Sequence, residues 1–158
     1  MKTAIIYASK HGTTEKVAHE ISHLLPGHDI SFFNIGKSHK VDLTPFDQVY
    51  IGGSIHAGGI QKSLQRFINR KTTMLLQRKV GLFLCCMDEK EAQNQFNAAF
   101  PEIIRHHASS GKWVGGEYIF EKMNFLEKAM TRKITGINQS ISKIKTNQIQ
   151  ELVREMAD

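Results

Sequence analysis

Five short apolar segments that alternate with helical patterns are the feature that most constrains the fold of this 158-residue chain. They are rich in β-branched or aromatic residues and read KTAIIYA (2–8), DISFFNI (29–35), QVYIGG (48–53), KVGLFLCC (79–86) and WVGGEYIF (113–120). Residues 14–25, 60–76 and 89–107 carry apolar residues at a spacing of three to four, as in amphipathic helices. Several of the five segments are continuously apolar, which is typical of strands covered on both faces. The alternation predicts a single α/β domain over residues 1–158, with a doubly wound parallel sheet.

Composition places the chain among globular proteins, with 41% hydrophobic and 23% charged residues. No apolar run approaches the ~20 residues that a membrane-spanning helix needs. The apolar run at the N-terminus is too short for a signal peptide, so we expect a cytoplasmic protein. Cys85 and Cys86 are neighbours in a predicted strand and point to opposite faces, which indicates two buried thiols rather than a disulfide or a metal pair.

The net charge is +6, and part of it is concentrated between residues 60 and 79, where no acidic residue occurs. The cations of this region are Lys62, Arg66, Arg70, Lys71, Arg78 and Lys79. In a helix, Leu64, Phe67 and Ile68 would face the sheet, and Lys62, Arg66 and Arg70 would form an exposed basic row. Such charge suits an acidic protein or an anionic membrane, but without a nucleic-acid motif or interleaved aromatics we expect no nucleic-acid partner. A solvated helix face is the simpler interpretation.

The stretch HEISH, His19 to His23, matches the H-E-x-x-H pattern of zinc proteases. In the predicted helix, Val17, Ile21, Leu24 and Leu25 lie on one side, whereas His19 and His23 lie on the other. Catalytic zinc also needs a third protein ligand and a cleft that excludes water. We therefore interpret the motif as a solvated helix face and predict no metal site.

The stretch ASKHGTT, residues 8–14, joins the first predicted strand to the first helix. The free N–H groups and partial positive charge of a helix N-terminus favour a phosphate there. The loop has neither the G-x-G-x-x-G nor the G-x-x-x-x-G-K-[ST] pattern, so its hydroxyl groups suit a terminal phosphate monoester. The predicted phosphate-binding residues are Ser9, Lys10, His11, Gly12, Thr13 and Thr14. A helix start that is merely capped by Ser and Thr is the alternative.

Two further loops end predicted strands, GGSIHAGG (52–59) and CCMDEKE (85–91). The first has four glycines and no bulky side chain, so its backbone could approach a flat ligand closely. Ligands of doubly wound sheets bind beyond the carboxyl ends of the strands. The three loops together predict a pocket for a phosphorylated planar cofactor.

The loop SKHGTT resembles the Ser/Thr-x-Thr-Gly-x-Thr loop of the flavodoxin family, with Ser9, Gly12 and Thr14 matching and His11 in place of the middle Thr. The stretch VYIGGSI is similar to the third strand and flavin loop of that family. The resemblance implies a five-stranded parallel sheet of order 2-1-3-4-5 with helices on both faces. It also implies that the protein binds FMN and transfers electrons through it, with no catalytic side chain.

Two other stretches, IGGSIHAGGIQKSLQRFI and GGEYIFEKMNFLEKAMTRKITG, resemble the branch that includes the menaquinone-dependent protoporphyrinogen oxidase. That oxidase has a long insertion after its fourth strand, whereas residues 87–112 here predict only a loop and a helix. Three interpretations follow: an FMN electron-transfer protein, a protoporphyrinogen IX dehydrogenase or quinone-reducing FMN oxidoreductase, and a flavin-free scaffold.

The resemblance also implies where the flavin ring lies. One side would be lined by Ser54, Ile55, His56, Ala57 and Gly58, and the other by Met87, Asp88, Glu89 and Glu91. Neither loop has an aromatic residue to stack on the ring, so we expect an uncapped flavin face. The three acidic residues would disfavour an anionic reduced flavin, and Lys10 and His11 would oppose that effect.

The expected partner is a redox protein, or a substrate of the quinone or porphyrin type. Residues 121–137 combine basic and apolar side chains, namely Lys122, Lys128, Arg132 and Lys133 with Met123, Phe125, Leu126, Met130 and Ile134. These apolar residues are interpreted either as core or as a docking surface for an acidic partner or the inner face of an anionic membrane, with Phe125 as an anchor.

Overall fold

A computed structural model describes residues 1–38 and 40–158 of the chain. Its strands are β1 (Lys2–Tyr7), β2 (Asp29–Asn34), β3 (Gln48–His56), β4 (Gly59–Ile60), β5 (Lys79–Cys85), β6 (Ser110–Trp113), β7 (Glu117–Tyr118) and β8 (Ile141–Ser142). Its α-helices are α1 (Thr13–His23), α2 (Lys62–Leu75), α3 (Ala92–Ala99), α4 (Glu102–His107), α5 (Phe125–Thr135) and α6 (Thr146–Ala157). A 3₁₀ turn covers Phe120–Lys122.

The central sheet is parallel and has the order β2-β1-β3-β5-β6. The two-residue strand β4 only folds back on the end of β3, so this is the expected order of five main strands. A separate antiparallel pair joins β7 and β8. The predicted fold class is therefore confirmed.

Helices cover both faces of the sheet, which explains the continuously apolar strands. On one face Ile5 and Tyr7 of β1 pack in a cluster with Ile21 of α1 and residues of α6. On the other face Ile6 packs with Leu64 of α2, and the same cluster includes residues of α3 and α4. Alternate residues of β1 thus point to opposite sides, and both sides are buried.

Two predicted boundaries were wrong. The fifth strand of the sheet is β6, which ends at Trp113, rather than a strand over residues 113–120. Gly115 turns the chain with φ of +74°, and a Cβ there would lie 1.9 Å from the Lys143 carbonyl oxygen, so residues 117–118 leave the sheet. The single helix predicted over 89–107 is two helices, because Pro101 cannot continue α3.

The helix packing predicted from the sequence is largely confirmed. Leu64, Phe67 and Ile68 of α2 are buried. Val17 and Ile21 of α1 are buried too. Leu24 was wrongly placed on the inward face; it follows the last residue of α1 and is exposed. None of the helices in the described residues is long and apolar enough to span a bilayer.

Candidate functional site

A cavity of about 410 Å³ lies at the carboxyl ends of β1, β3 and β5. Eleven of the residues predicted to bind the cofactor line it, and they come from all three predicted loops: Ser9, Lys10, His11, Thr13, Ser54, Ile55, His56, Ala57, Gly58, Met87 and Asp88. These loops meet because parallel strands of one sheet present their carboxyl ends at the same edge. The sheet order therefore assembles segments that are far apart in the sequence.

The other four predicted residues do not line the cavity. Gly12 caps the start of α1, and Thr14 is fully buried in the first turn of that helix. Glu89 pairs with Lys145 at 3.2 Å, and Glu91 accepts a hydrogen bond from Asn94 at 3.1 Å. Of the three acidic residues expected beside a flavin, only Asp88 lies on the cavity wall.

The loop between β1 and α1 has the geometry of an anion cradle. Gly12 adopts φ of +97°, where residues with a Cβ are strained, and its N–H donates to the Ser9 hydroxyl at 3.0 Å. In the described part of the chain, the N–H groups of Thr13, Thr14 and Glu15 have no hydrogen-bond acceptor. The Thr14 hydroxyl is buried beside the Cys85 thiol, a weak hydrogen-bonding group, and none of the described residues gives it a well-formed hydrogen bond. Buried donors without acceptors are costly, so the loop is suited to an anion with several oxygen atoms.

A cation from a distant segment also reaches this loop. A Cβ built on Gly12 would lie 3.1 Å from the Lys122 ammonium nitrogen. Lys122 forms no salt bridge within residues 1–38 and 40–158. The positive charge therefore adds to that of the helix N-terminus. It favours a phosphate at this end of the cavity.

The second loop is a tight hairpin at the end of β3. Ala57 and Gly58 have φ of +49° and +78°, and the pairing of His56 with Gly59 closes the turn. Two glycines of the loop predicted to approach a flat ligand have another structural reason. A Cβ on Gly52 would lie 2.1 Å from the Phe83 ring, and one on Gly53 would lie 2.7 Å from Ile60. These two glycines serve core packing, and neither lines the cavity.

His56 projects from this hairpin as a neutral imidazole. Burial, with the nearby charges of His11 and Lys10, lowers the pKa of His56 to about 4. The Ser54 hydroxyl accepts a hydrogen bond from the Gln61 amide at 2.8 Å, so it can donate to His56 Nε2 at 3.1 Å. The rings of His56 and His11 meet edge to face, with centroids 5.5 Å apart. A neutral, oriented ring can pack against a planar ligand.

The chain after β6 forms a further wall of the cavity, which was not predicted as part of the cofactor site. It is called the third wall here, after the two loops expected to flank the ring. Its cavity-lining residues are Gly116, Glu117, Tyr118, Met123, Glu127, Met130, Thr131, Ile134 and Thr135, and Cys85, Cys86 and Gln95 complete the lining. The two predicted loops indeed lack aromatic residues, but Tyr118 supplies one from this wall. Burial raises the pKa of Tyr118, so its phenol stays neutral. The sequence did hold one signal for this wall, because Met123, Met130 and Ile134 share one face of a helical pattern.

Glu127 joins helix α5 of this wall to the loop between β1 and α1, residues 8–12, which with the first turn of α1 is called the phosphate loop below. Its carboxylate pairs with Lys10, and one oxygen lies 3.4 Å from His11 Nε2. Glu127 also forms a capping box with Asn124, since each side chain accepts a hydrogen bond from the other residue's backbone N–H at 2.9 Å. The hydrogen bond from Lys10 lowers the pKa of Glu127 and keeps it ionised. None of the residues of α5 is buried.

The other residues that the sequence offered for redox or metal chemistry, two cysteines and the histidines of HEISH, have structural positions. Cys85 and Cys86 are free buried thiols, as predicted, and burial raises the pKa of Cys85 to about 12. His19 and His23 are exposed on α1, as the helical pattern predicts, and the His19 ring packs on Phe32 at 4.6 Å. Among residues 1–38 and 40–158, no group of three His, Cys, Asp or Glu side chains could hold a metal ion.

The fold and this cavity define an α/β protein with a phosphate-suited loop and a ring-sized cleft at the sheet edge. A family model, the flavodoxin domain, matches residues 4–144. The chain therefore belongs to the flavodoxin domain family. The match supports the family, and it does not extend to the protoporphyrinogen oxidase branch.

Solved structures agree on the fold at low sequence identity. The chain is similar to oxidised Flavodoxin 1 from Bacillus cereus, with 16% identity, 99% and 97% of the two chains covered and a TM-score of 0.59. It is similar to the Fusobacterium nucleatum flavodoxin bound to flavin mononucleotide, with 15% identity, 99% and 96% covered and a TM-score of 0.61. It also matches 37% of rubredoxin oxygen:oxidoreductase from Desulfovibrio gigas, with 13% identity, 99% of this chain covered and a TM-score of 0.60. No curated protein sequence matches the chain.

Proposed function

We propose that this protein binds FMN in the cavity and transfers electrons through it. The observation that carries the proposal is the phosphate loop, where free N–H groups, the buried Thr14 hydroxyl with a weak thiol neighbour and the Lys122 ammonium converge. That loop opens into a cavity whose other walls are the His56 hairpin, the loop at Met87 and the third wall after β6. FMN bound to a flavodoxin structure similar to this one supports the same assignment.

The chain's own residues would bind and orient the cofactor. The first-turn N–H groups of α1 and the cavity-lining hydroxyls of Ser9 and Thr13 would donate to the phosphate, and the buried Thr14 hydroxyl would donate to it from the first turn of α1. The hairpin at His56 and the loop at Met87 would flank the ring. FMN supplies the redox chemistry when bound, so the protein needs no nucleophile or metal there. A neutral His56 is compatible with flanking the flavin ring, because it adds no charge beside it. The reduction potential of the flavin would then depend on the charged residues nearby.

Addition of FMN to the purified, flavin-free protein tests the proposal. We expect a shifted visible absorption spectrum, quenched flavin fluorescence, and a bound flavin that is reduced and reoxidised reversibly. A folded protein that leaves the FMN spectrum and fluorescence unchanged would contradict the proposal and favour a flavin-free scaffold. Circular dichroism of the same sample shows whether the protein is folded.

A second candidate function, an FMN-dependent oxidoreductase, is favoured by the third wall. Met130 and Ile134 line the cavity and are 55% and 75% exposed, so an apolar face of α5 borders the space beside a bound ring. Such a face suits a large planar apolar substrate, of the quinone or porphyrin type. Turnover of protoporphyrinogen IX or a quinone by the FMN-loaded protein would establish this function. Reduction by a protein partner without such turnover would leave the electron-transfer role.

We also propose an acidic redox protein as the partner. Lys62, Arg66 and Arg70 form the exposed row that the helical pattern predicts on α2, which directly follows the His56 hairpin. The expectation that the apolar residues of 121–137 form core is wrong for Phe125, Leu126, Met130 and Ile134, which are all exposed, and Met123 is only partly buried. Phe125 and Leu126 are 83% and 70% exposed. These two residues and the cations of α5 make a second docking surface beside the cavity, and an anionic membrane is the rival occupant there.

A further inference from the structure

We infer that Glu127 competes with the cofactor phosphate for Lys10 and His11 of the phosphate loop, so that phosphate binding releases α5 from that loop. This inference rests on the proposed binding of FMN. It assigns Glu127 a role beyond lining the cavity, because the residue would set cofactor affinity. It also gives α5 two states that differ in one set of ion pairs.

The first step of the argument is the position of the carboxylate. Glu127 lies 117 residues from Lys10 in the sequence, yet its carboxylate contacts both Lys10 and His11 of the phosphate loop. Its side chain is only 22% exposed, and it lines the same cavity as Ser9 and Thr13. A carboxylate of the protein itself therefore pairs with the Lys10 ammonium and contacts the His11 ring, two side chains that the sequence places around the phosphate.

The second step is electrostatic. A phosphate monoester carries close to two negative charges at neutral pH, more than the single charge of a carboxylate. A phosphate and Glu127 held against the same cations would repel each other in a partly buried site, where solvent screens them weakly. Lys10 is half exposed and His11 lies at the cavity, so both can turn from the carboxylate to the phosphate.

The third step concerns what holds α5 in place. Helix α5 buries no residue, so apolar packing contributes little to its position. Its contacts with the rest of the protein include the ion pairs of Glu127, and the Arg132 guanidinium lies 5.8 Å from the Phe120 ring centroid. Loss of the Glu127 pairs removes the direct link between α5 and the phosphate loop. The helix itself persists, because its capping box lies within the segment.

Binding of FMN and of riboflavin to Glu127→Gln tests the competition. Gln keeps the shape of the side chain and can still form the capping box. We expect FMN to bind about three- to tenfold more tightly than to the native chain, as for one partly exposed ion pair, with riboflavin affinity unchanged. Riboflavin has the ring without the phosphate, so it separates the two ends of the site.

Glu121→Gln is the matched control, because it removes the same charge nearby and contacts Ser140 rather than the phosphate loop. An unchanged or weaker FMN affinity in Glu127→Gln, or an equal gain in Glu121→Gln, would overturn the inference. If the native chain binds FMN, each of those results leaves the proposed function standing. If the native chain binds neither FMN nor riboflavin, the proposed function and the inference fail together.

Limited trypsin digestion tests the release of α5 without a flavin, using inorganic phosphate as the probe. Cleavage after Lys128, Arg132 and Lys133 reports local opening of this segment. We expect phosphate to accelerate that cleavage about two- to fivefold over sodium chloride of equal ionic strength. In Glu127→Gln, cleavage should already be fast without phosphate, and phosphate should not change its rate. Native cleavage that does not respond to phosphate, or the same response in both proteins, would overturn the release of α5.

Discussion

Helices α1 and α5 have the same length, eleven residues, and both border the cavity, but they are held in different ways. Helix α1 buries Val17, Ala18 and Ile21 against the sheet and offers its N-terminus to the cavity. Helix α5 buries none of its residues and relies on the capping box and the ion pairs of Glu127. One wall of the site is part of the core, and the other is attached to its surface.

The difference in attachment indicates which wall of the cavity can move when a ligand binds. Burial of a large apolar side chain stabilises a fold by roughly 1.5–3 kcal/mol, whereas an exposed ion pair contributes about 0–1 kcal/mol. The position of α1 is therefore fixed in all states of the folded protein. The position of α5 depends on charges that a phosphate, salt or a partner can alter.

The largest expected effect separates the two helices by stability. Ile21→Ala should lower the free energy of unfolding by about 2–5 kcal/mol, because it leaves a cavity beneath α1. Leu126→Ala on α5 should change it by about 0.5 kcal/mol or less, since Leu126 is 70% exposed. Urea denaturation followed by circular dichroism measures both. Comparable losses in the two variants would mean that α5 packs as part of the core.

The next effect concerns the phosphate end of the α1 wall. Thr14→Ala removes the buried hydroxyl that we propose donates to the phosphate from the first turn of α1. A hydrogen bond to a charged group is worth about 1.5–3 kcal/mol, so the FMN dissociation constant should rise about tenfold or more. Gly12→Val should also weaken binding, because it strains a residue at φ of +97°. The control His19→Ala with His23→Ala should bind FMN like the native chain. A larger loss of FMN affinity in that control than in Thr14→Ala would show that the wrong one of the two motifs was assigned to phosphate binding.

The same contrast explains what the sequence could predict. The main strands, the order of the sheet and α1 followed from buried periodic patterns and from a loop resemblance at Ser9, Gly12 and Thr14. Three loops at one sheet edge followed from topology, because parallel strands end together. Burial constrains many residues at once, so it leaves a regular trace in the sequence.

The α5 wall left a weaker trace, the helical spacing of Met123, Met130 and Ile134, which does not show where the helix lies. The pairing of Lys10 with Glu127 joins two residues 117 positions apart, and single charged residues carry no periodic signal. The Asn124 to Glu127 spacing does indicate a helix start, but it does not indicate where the helix packs. Gly115 turns the chain out of the central sheet, so Tyr118 lies in the short strand β7 at the cavity wall rather than in the predicted fifth strand. Pro101 separates α3 from α4 within the helix predicted over 89–107.

A smaller effect compares the flanking residues of the ring. His56→Tyr should tighten FMN binding, and Tyr118→Ala should weaken it, each by about 0.5–1.5 kcal/mol for one aromatic contact. Fluorescence quenching titrations at fixed salt measure both dissociation constants. If only Tyr118→Ala has an effect, the ring stacks on the third wall rather than on the hairpin. If neither variant changes the affinity, the ring lies away from both residues.

The smallest expected effect concerns docking of the redox partner at the two basic surfaces. Attraction between exposed charges is screened within ~8 Å at physiological ionic strength, so electron transfer with an acidic partner should slow as salt rises. Charge reversal at Lys62, Arg66 and Arg70 of α2 together should slow it about two- to fivefold in all, with FMN retained. The matched reversal at Lys128, Arg132 and Lys133 tests α5 with the same change in net charge.

Stopped-flow kinetics across a salt series decide between the two surfaces. Electron-transfer rates that are unchanged by salt and by both triple variants would show that neither surface docks the partner. A slowing confined to the α5 variant would place the partner at the surface-attached wall, where docking could act on the helix that Glu127 holds.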